Sequence, residues 1–253
     1  MFPRRSAAGK IKNIFNGNSK IVTVTIADGI TEMGDYVFST CDNLTSVKLP
    51  STITTIPKSA FAYCPKLTNV TVPDSVTRIE EKAFYCCDAL STVSLPKKLD
   101  YLGKQAFYAC KSLKSVTVPD GVKTIEDQTF ANSMYLQKVT LPATVTSIGS
   151  GAFLQCLSLS SVNLPANLTK ILDNAFYYCD LLDNITIPSK VVSIGDSAFS
   201  NCASLSRINI PASLTLLYEN AFYRCGNIAS VTVASGNTAF CSENGALYTK
   251  DMD

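Results

Sequence analysis

The apolar positions of this chain recur with one fixed period. Phe stands at Phe15, Phe38, Phe61, Phe84, Phe107, Phe130, Phe153, Phe176, Phe199 and Phe222, and every step is 23 residues. Other columns march in phase. Three residues after each Phe comes a Cys (Cys41, Cys64, Cys87, Cys110, Cys156, Cys179, Cys202, Cys225), with Ser133 in one repeat and Asn18 in the first. Six after comes Leu44 and its equivalents, nine after a Val or Ile, eleven after a Leu, Val or Ile, and then Pro. The repeat reads F-x-x-C-x-x-L-x-x-V-x-L-P-x-x-V-x-x-I-x-x-x-A.

Each piece predicts an element. V-x-L alternates with period two and is β-branched, which predicts a short strand with one face buried. Pro ends it, because Pro cannot donate to a continuing ladder. The A-F-x-x-C-x-x-L stretch spaces apolar residues at three and four, which predicts one face of a short helix. Asp35, Asp127, Asp173, Asp196 and Glu219 stand near its start, where carboxylates suit a helix N-terminus.

One such unit cannot bury its apolar face alone, but stacked neighbours share a continuous core. The expectation is an α/β repeat fold: a curved solenoid of ten turns, with a parallel β-sheet on the concave face and short helices on the convex face. Ten strands at about 4.8 Å spacing give a sheet about 45 Å long. The organisation expected is a lead-in over 1–14, the solenoid over 15–236 and a tail over 237–253. The Phe column, Phe38, Phe61, Phe84, Phe107, Phe130, Phe153, Phe176, Phe199 and Phe222, is expected to be core, one buried ring per turn.

The repeat resembles the 23-residue class of leucine-rich repeats in BspA-like proteins, over nearly nine tenths of the chain. The tail, with Asn237, Phe240, Ser242, Gly245, Leu247, Tyr248, Lys250 and Asp251, is similar to a linker between blocks of these repeats, which implies that the chain is a fragment of a longer protein. The resemblance further implies a microbial protein displayed on the cell surface or secreted, adhesin-like, that binds host or neighbouring-cell components. The N-terminus carries charge but no apolar run of the signal-peptide kind, which keeps a cytoplasmic location as the alternative.

Composition narrows the chemistry. The chain is 46% hydrophobic and 17% charged, which suits an ordered core. A net charge of +2 gives no strong pull toward nucleic acid, and no apolar stretch is long enough to insert in a membrane. There is no His, which removes Ser-His and Cys-His nucleophilic machinery and the commonest metal ligand. No enzyme activity, cofactor or metal site is expected. The eight column cysteines are 23 or 46 apart rather than paired as zinc ligands are. They read as small buried thiols, with a disulfide ladder as the other reading, and Cys86 and Cys241, off the column, as the likelier reactive pair.

What remains is surface. The outward positions of V-x-L form two ranks of hydroxyls and amides with three cations among them. Thr25, Lys48, Thr71, Thr117, Thr140, Asn163, Thr186, Asn209 and Thr232 stand between Val and Leu, and Lys138 and Arg207 before Val. They are the candidate binding residues of the concave face, for an extended protein or glycan ligand. Thr and Ser also suit exposed strand positions without any ligand. A second patch is the tyrosine set Tyr85, Tyr108, Tyr177 and Tyr223, since Tyr is enriched in binding hot spots. An intracellular interaction scaffold is the alternative function, and an end-to-end homodimer through uncapped repeat ends remains open.

Overall fold

In the computed structural model, which describes residues 9–250, the chain is a solenoid in which each 23-residue rung lies on the last. Residues 1–8 of the lead-in, with Arg4 and Arg5, lie outside the described residues, as do 251–253 of the tail.

Every rung carries two strand positions. The V-x-L positions form one row of parallel strands: Thr23–Thr25, Ser46–Lys48, Asn69–Thr71 and Thr92–Ser94, then Ser115–Thr117, Lys138–Thr140 and Ser161–Val162, then Arg207–Ile210 and Ser230–Val233. Register advances by one repeat per rung, Val47 opposite Val70 and Val70 opposite Val93. Residues 184–187 keep the same alternation of exposed and buried positions without forming a strand. The second row has two-residue strands such as Thr55–Ile56, Arg78–Ile79 and Tyr101–Leu102, continued by Thr124–Ile125 through Leu216–Leu217. It was not predicted from the sequence, because two residues are too few to show an alternation. Between the rows the Pro carbonyl closes a turn, Val76 N–H donating to Pro73 O at 3.0 Å and Val122 N–H to Pro119 O at 3.1 Å.

The expected convex helices are absent: among the described residues there is no helix. The A-F-x-x-C-x-x-L stretch is instead a run of tandem turns. From Phe38 to Phe199 the residues two before and two after each column Phe adopt left-handed backbone, as in Lys82 (φ 58), Cys86 (φ 55), Gln105 (φ 57) and Ala109 (φ 53). This alternation points successive amides in different directions. Ala83 N–H and Tyr85 N–H bond back within their own turn, to Glu80 O and Lys82 O. Lys82, Phe84 and Cys86 donate instead to the next rung, to Lys104 O, Ala106 O and Tyr108 O at 2.8–2.9 Å. A helix would send all of them back along itself to residue i−4. Here half of them stitch neighbouring rungs together, so the turn side is hydrogen-bonded along the solenoid much as the strand rows are.

With no helix to cap, three residues of the acidic column, Asp127, Asp173 and Asp196, take part in this stitching instead. Asp127 Oδ1 accepts Ser150 N–H at 3.0 Å, and Asp173 Oδ1 accepts Asp196 N–H at 2.9 Å.

Inside, Phe38 through Phe199 are fully buried and Phe222 is partly buried. Their rings stack from rung to rung with centroids 5.1–5.8 Å apart and planes within 12°. At the C-terminal end an antiparallel hairpin, Phe240–Glu243 with Ala246–Thr249, turns through Asn244 (φ 49) and Gly245 (φ 81), the two positive-φ residues that a tight primed turn requires. Asn237 anchors it: buried, it donates to Pro211 O and Leu214 O and accepts from Ala239 N–H and Phe240 N–H, so its amide is satisfied four times.

Candidate binding surface

The V-x-L row turns its Val and Leu side chains inward, most of them buried, and the intervening ones outward. All eleven candidate residues are exposed: Thr25, Lys48, Thr71, Thr117, Lys138, Thr140, Asn163, Thr186, Arg207, Asn209 and Thr232. Register sets Thr25 beside Lys48 and Lys48 beside Thr71, Thr117 beside Thr140, and Asn209 beside Thr232. Thr232 Oγ1 donates to Asn209 Oδ1 at 2.5 Å. Asn163 and Thr186 project from rungs where the strand is shortened or missing, so the row is not one unbroken sheet. It is a narrow strip of donors and acceptors, one or two per rung, with Lys48, Lys138 and Arg207 free of ion pairs among the described residues.

The second row presents another outward strip, alternately exposed and half-buried, which sequence reasoning missed. Glu32, Thr55, Arg78 and Tyr101 occupy equivalent outward positions in successive rungs. The Arg78 guanidinium lies 4.2 Å over the Tyr101 ring, and its Nε donates to Glu80 at 2.8 Å. A cavity of about 690 Å³ opens here between Glu32, Asp35, Lys58, Glu80, Glu81 and Tyr101. Ion pairs climb from rung to rung beside it, Lys58 to Glu81 at 2.8 Å and Lys104 to Asp127 at 2.7 Å. The hydrogen bond from Lys58 holds the Glu81 carboxyl below its usual value, whereas burial raises that of Glu126. Lys58, Glu81, Lys104 and Asp127 are occupied in binding one another. Such exposed pairs fix rung register at little net gain in stability.

All ten cysteines are free thiols. The eight in the column are buried, and burial pushes the Cys64 thiol up to about 12 and raises the Cys87 and Cys110 thiols as well. Each column Sγ lies against the Phe carbonyl of the preceding rung, for example Cys64 against Phe38 O at 3.0 Å and Cys156 against Phe130 O at 3.2 Å. Off the column, Cys86 and Cys241 are only half-buried, and partial burial raises the Cys86 thiol as well. Among the described residues, no group of three Cys, Asp or Glu is placed to hold a metal ion.

Of the four tyrosines singled out from the sequence, Tyr85 and Tyr108 stack at 4.7 Å with planes 5° apart. Tyr177 instead meets Tyr178 edge-on, and Tyr223 lies in the last rung beneath Arg224. Tyr36 and Tyr63 join the Tyr85 cluster unannounced. They sit two residues before and two after a Phe, at left-handed positions (φ 59 and 57) where the sequence places many residue types.

Comparison with known proteins follows the same lines. Residues 11–137 and 123–245 match the family described as the BspA type leucine rich repeat region. A leucine-rich repeat protein from Bacteroides ovatus is similar at 34% identity and a TM-score of 0.80, over 85% of this chain and 58% of its own. A leucine rich cell surface protein from Faecalibacterium prausnitzii is 26% identical with a TM-score of 0.52, over 90% of this chain and 83% of its own. A leucine-rich repeat protein from Eubacterium ventriosum is 25% identical with a TM-score of 0.63, over 79% and 63%. This chain thus spans little more than half the length of the Bacteroides structure. No curated protein matches it.

Proposed function

We propose, from the premise that this chain belongs to the BspA-type leucine-rich-repeat family, that it is a surface-displayed binding protein that recognises host or neighbouring-cell proteins or glycans through the V-x-L row. One observation carries the reading. The eleven candidate residues of that row are all exposed and recur at rung spacing, and its three cations have no ion-pair partner among the described residues. An extended partner laid along the row meets a donor or acceptor at each rung, each hydrogen bond contributing about 0.5–1.5 kcal/mol net. The Phe rings repeat at 5.1–5.8 Å against about 4.8 Å for paired strands. This difference supports the V-x-L row lying on the shorter, concave arc. The similar Faecalibacterium protein is described as a cell surface protein, which supports display. The set of side chains suits binding rather than catalysis, with no His and with most carboxylates near the cavity engaged in ion pairs.

A second reading, an intracellular interaction scaffold, is favoured by the ten free thiols, since disulfides mark oxidising compartments. One experiment separates the two. Antibody staining of intact source cells, against permeabilised cells, places the protein outside or inside. Purified wild type and the Lys138→Glu/Thr140→Glu/Arg207→Glu variant are then compared for attachment to whichever cells or lysates the wild type binds. Surface staining with attachment lost in the variant is the expected result. Staining only after permeabilisation sinks the adhesin-like reading, and undiminished attachment by the variant sinks the V-x-L row as the site.

A further inference from the structure

The structure describes six buried polar residues: Ser39, Ser59, Thr129, Ser133, Ser200 and Asn237. Four hydrogen-bond within the chain: Thr129 to Glu126 O, Ser133 to Phe107 O, Ser200 to Tyr223 O, and Asn237 as above. The hydroxyls of Ser39 and Ser59 take no partner among the described residues, although the two residues are only 5% and 3% exposed. Among the described residues no fully enclosed side-chain oxygen lacks a partner, so both hydroxyls reach open space. That space is one cavity, because Ser39 and Ser59 line the same notch, of about 330 Å³, on the turn side of rungs two to five.

The sequence cuts the notch by a step in side-chain size. The residue after the core Phe is small in two rungs, Ser39 and Ala62, and large in the next two, Tyr85 and Tyr108. The Tyr85 ring is backed by Tyr108 at 4.7 Å and met by Tyr63 edge-on at 5.3 Å. Tyr36 and Tyr63, 42% and 51% exposed, stand as the other aromatic walls. Lys58, Lys82 and Gln105 complete the rim. Lys58 and Lys82 both pair with Glu81, so the rim offers hydrogen bonds without a large excess of charge. Burial pushes the Tyr85 phenol up to about 12, which keeps it a neutral donor.

We propose that this notch is a second binding site, distinct from the V-x-L row, and that it takes one ring of a neutral saccharide. The chemistry asked of a ligand is an apolar face for the tyrosine rings and hydroxyls around its edge for Ser39, Ser59, Gln105 and the lysines. A pyranose ring has both. The volume lies at the low end of small-molecule sites, which run from about 300 Å³ upward.

Linear trisaccharides of glucose, mannose, galactose and N-acetylglucosamine are the probes, read by saturation-transfer NMR and titration on the full chain. The expected result is saturation transfer to at least one of them. Tyr63→Ala and Tyr85→Ala each weaken that affinity about tenfold, as loss of a hot-spot aromatic does. Ser59→Ala weakens it by a smaller factor, and Asp120→Asn, exposed in the turn after Pro119 and outside both surfaces, leaves it unchanged. Circular dichroism melts confirm that the variants fold. No transfer to any of the sugars overturns the proposal, and so does unchanged affinity in folded Tyr63→Ala and Tyr85→Ala. A proline-rich peptide that occupies the notch when none of the sugars does would make it a protein-docking groove instead.

Discussion

The Sγ of Cys87 lies 3.0 Å from the carbonyl oxygen of Phe61 and donates to it, and that carbonyl takes no other hydrogen bond among the described residues. The relationship repeats along the column, Cys64 to Phe38 O at 3.0 Å and Cys110 to Phe84 O at 3.2 Å. Where the column breaks, Ser133 Oγ makes the same bond to Phe107 O at 3.0 Å. The thiol is therefore more than a small filler. At Phe38, Phe61 and Phe84 it is the donor that closes a buried carbonyl left over by the tandem turns, whereas from Phe107 to Phe199 the carbonyl also accepts the backbone N–H three residues on, and a hydroxyl is the thiol's natural substitute.

Cys87→Ser is expected to keep stability within about 1 kcal/mol of wild type, since a donor of similar size remains. Cys87→Ala strands the Phe61 carbonyl and is expected to cost about 1–3 kcal/mol. Urea unfolding of the two variants checks the order. An Ala variant as stable as the Ser variant would show that the thiol only fills space.

Base should unfold the protein through the same column. Burial raises the Cys64 thiol to about 12 from its usual value near 9 and raises those of Cys87 and Cys110 as well. Below pH 9 both folded and unfolded chains hold these protons, so stability is flat with respect to them. Above pH 9 the unfolded chain loses protons that the folded chain keeps, and stability falls as pH rises toward 12. A pH series of thermal melts should show the decline steepen from pH 9, and a multiple Cys→Ser variant should flatten it.

The Phe column should be graded by position. Phe130 is fully buried and stacks on both neighbours, Phe107 at 5.8 Å and Phe153 at 5.5 Å. Phe222 is partly buried and stacks on Phe199 alone. Phe130→Ala is expected to cost about 3–5 kcal/mol and Phe222→Ala clearly less. Equal losses, measured by chemical denaturation, would contradict the graded stack.

Left-handed positions offer a gain. Gln155 holds φ 56, while Gly17 and Gly151 fill left-handed positions elsewhere in the turns at φ 73 and 59. A Cβ there strains the backbone, so Gln155→Gly is expected to stabilise by about 0.5–1 kcal/mol, net of glycine's larger entropy loss. Gly151→Ala should act in the opposite direction, since its Cβ would also meet Gln128 Cγ at 3.3 Å. A raised melting temperature for the first variant and a lowered one for the second is the test.

The 23-residue period by itself determined the solenoid, the rung boundaries, the V-x-L strands and which side chains point inward. Burial depends on which positions are apolar, and that is written in the chain. The same pattern misled on the turn side. Apolar residues three and four apart fit a helix face and a run of tandem turns equally well, because both return the chain to the same side after three or four residues. The two differ in where the amides of Lys82, Phe84 and Cys86 find acceptors, and those acceptors, Lys104, Ala106 and Tyr108, belong to the next rung. Stacking therefore decided between helix and turns, and no single repeat carries that information. Stacking also decided the second strand row, the bond from each thiol to a Phe carbonyl, and the Tyr36–Tyr63–Tyr85 notch. Each of these is a contact between residues 22 or more apart, or a cavity bounded by several rungs, and so exists only once the rungs are in register.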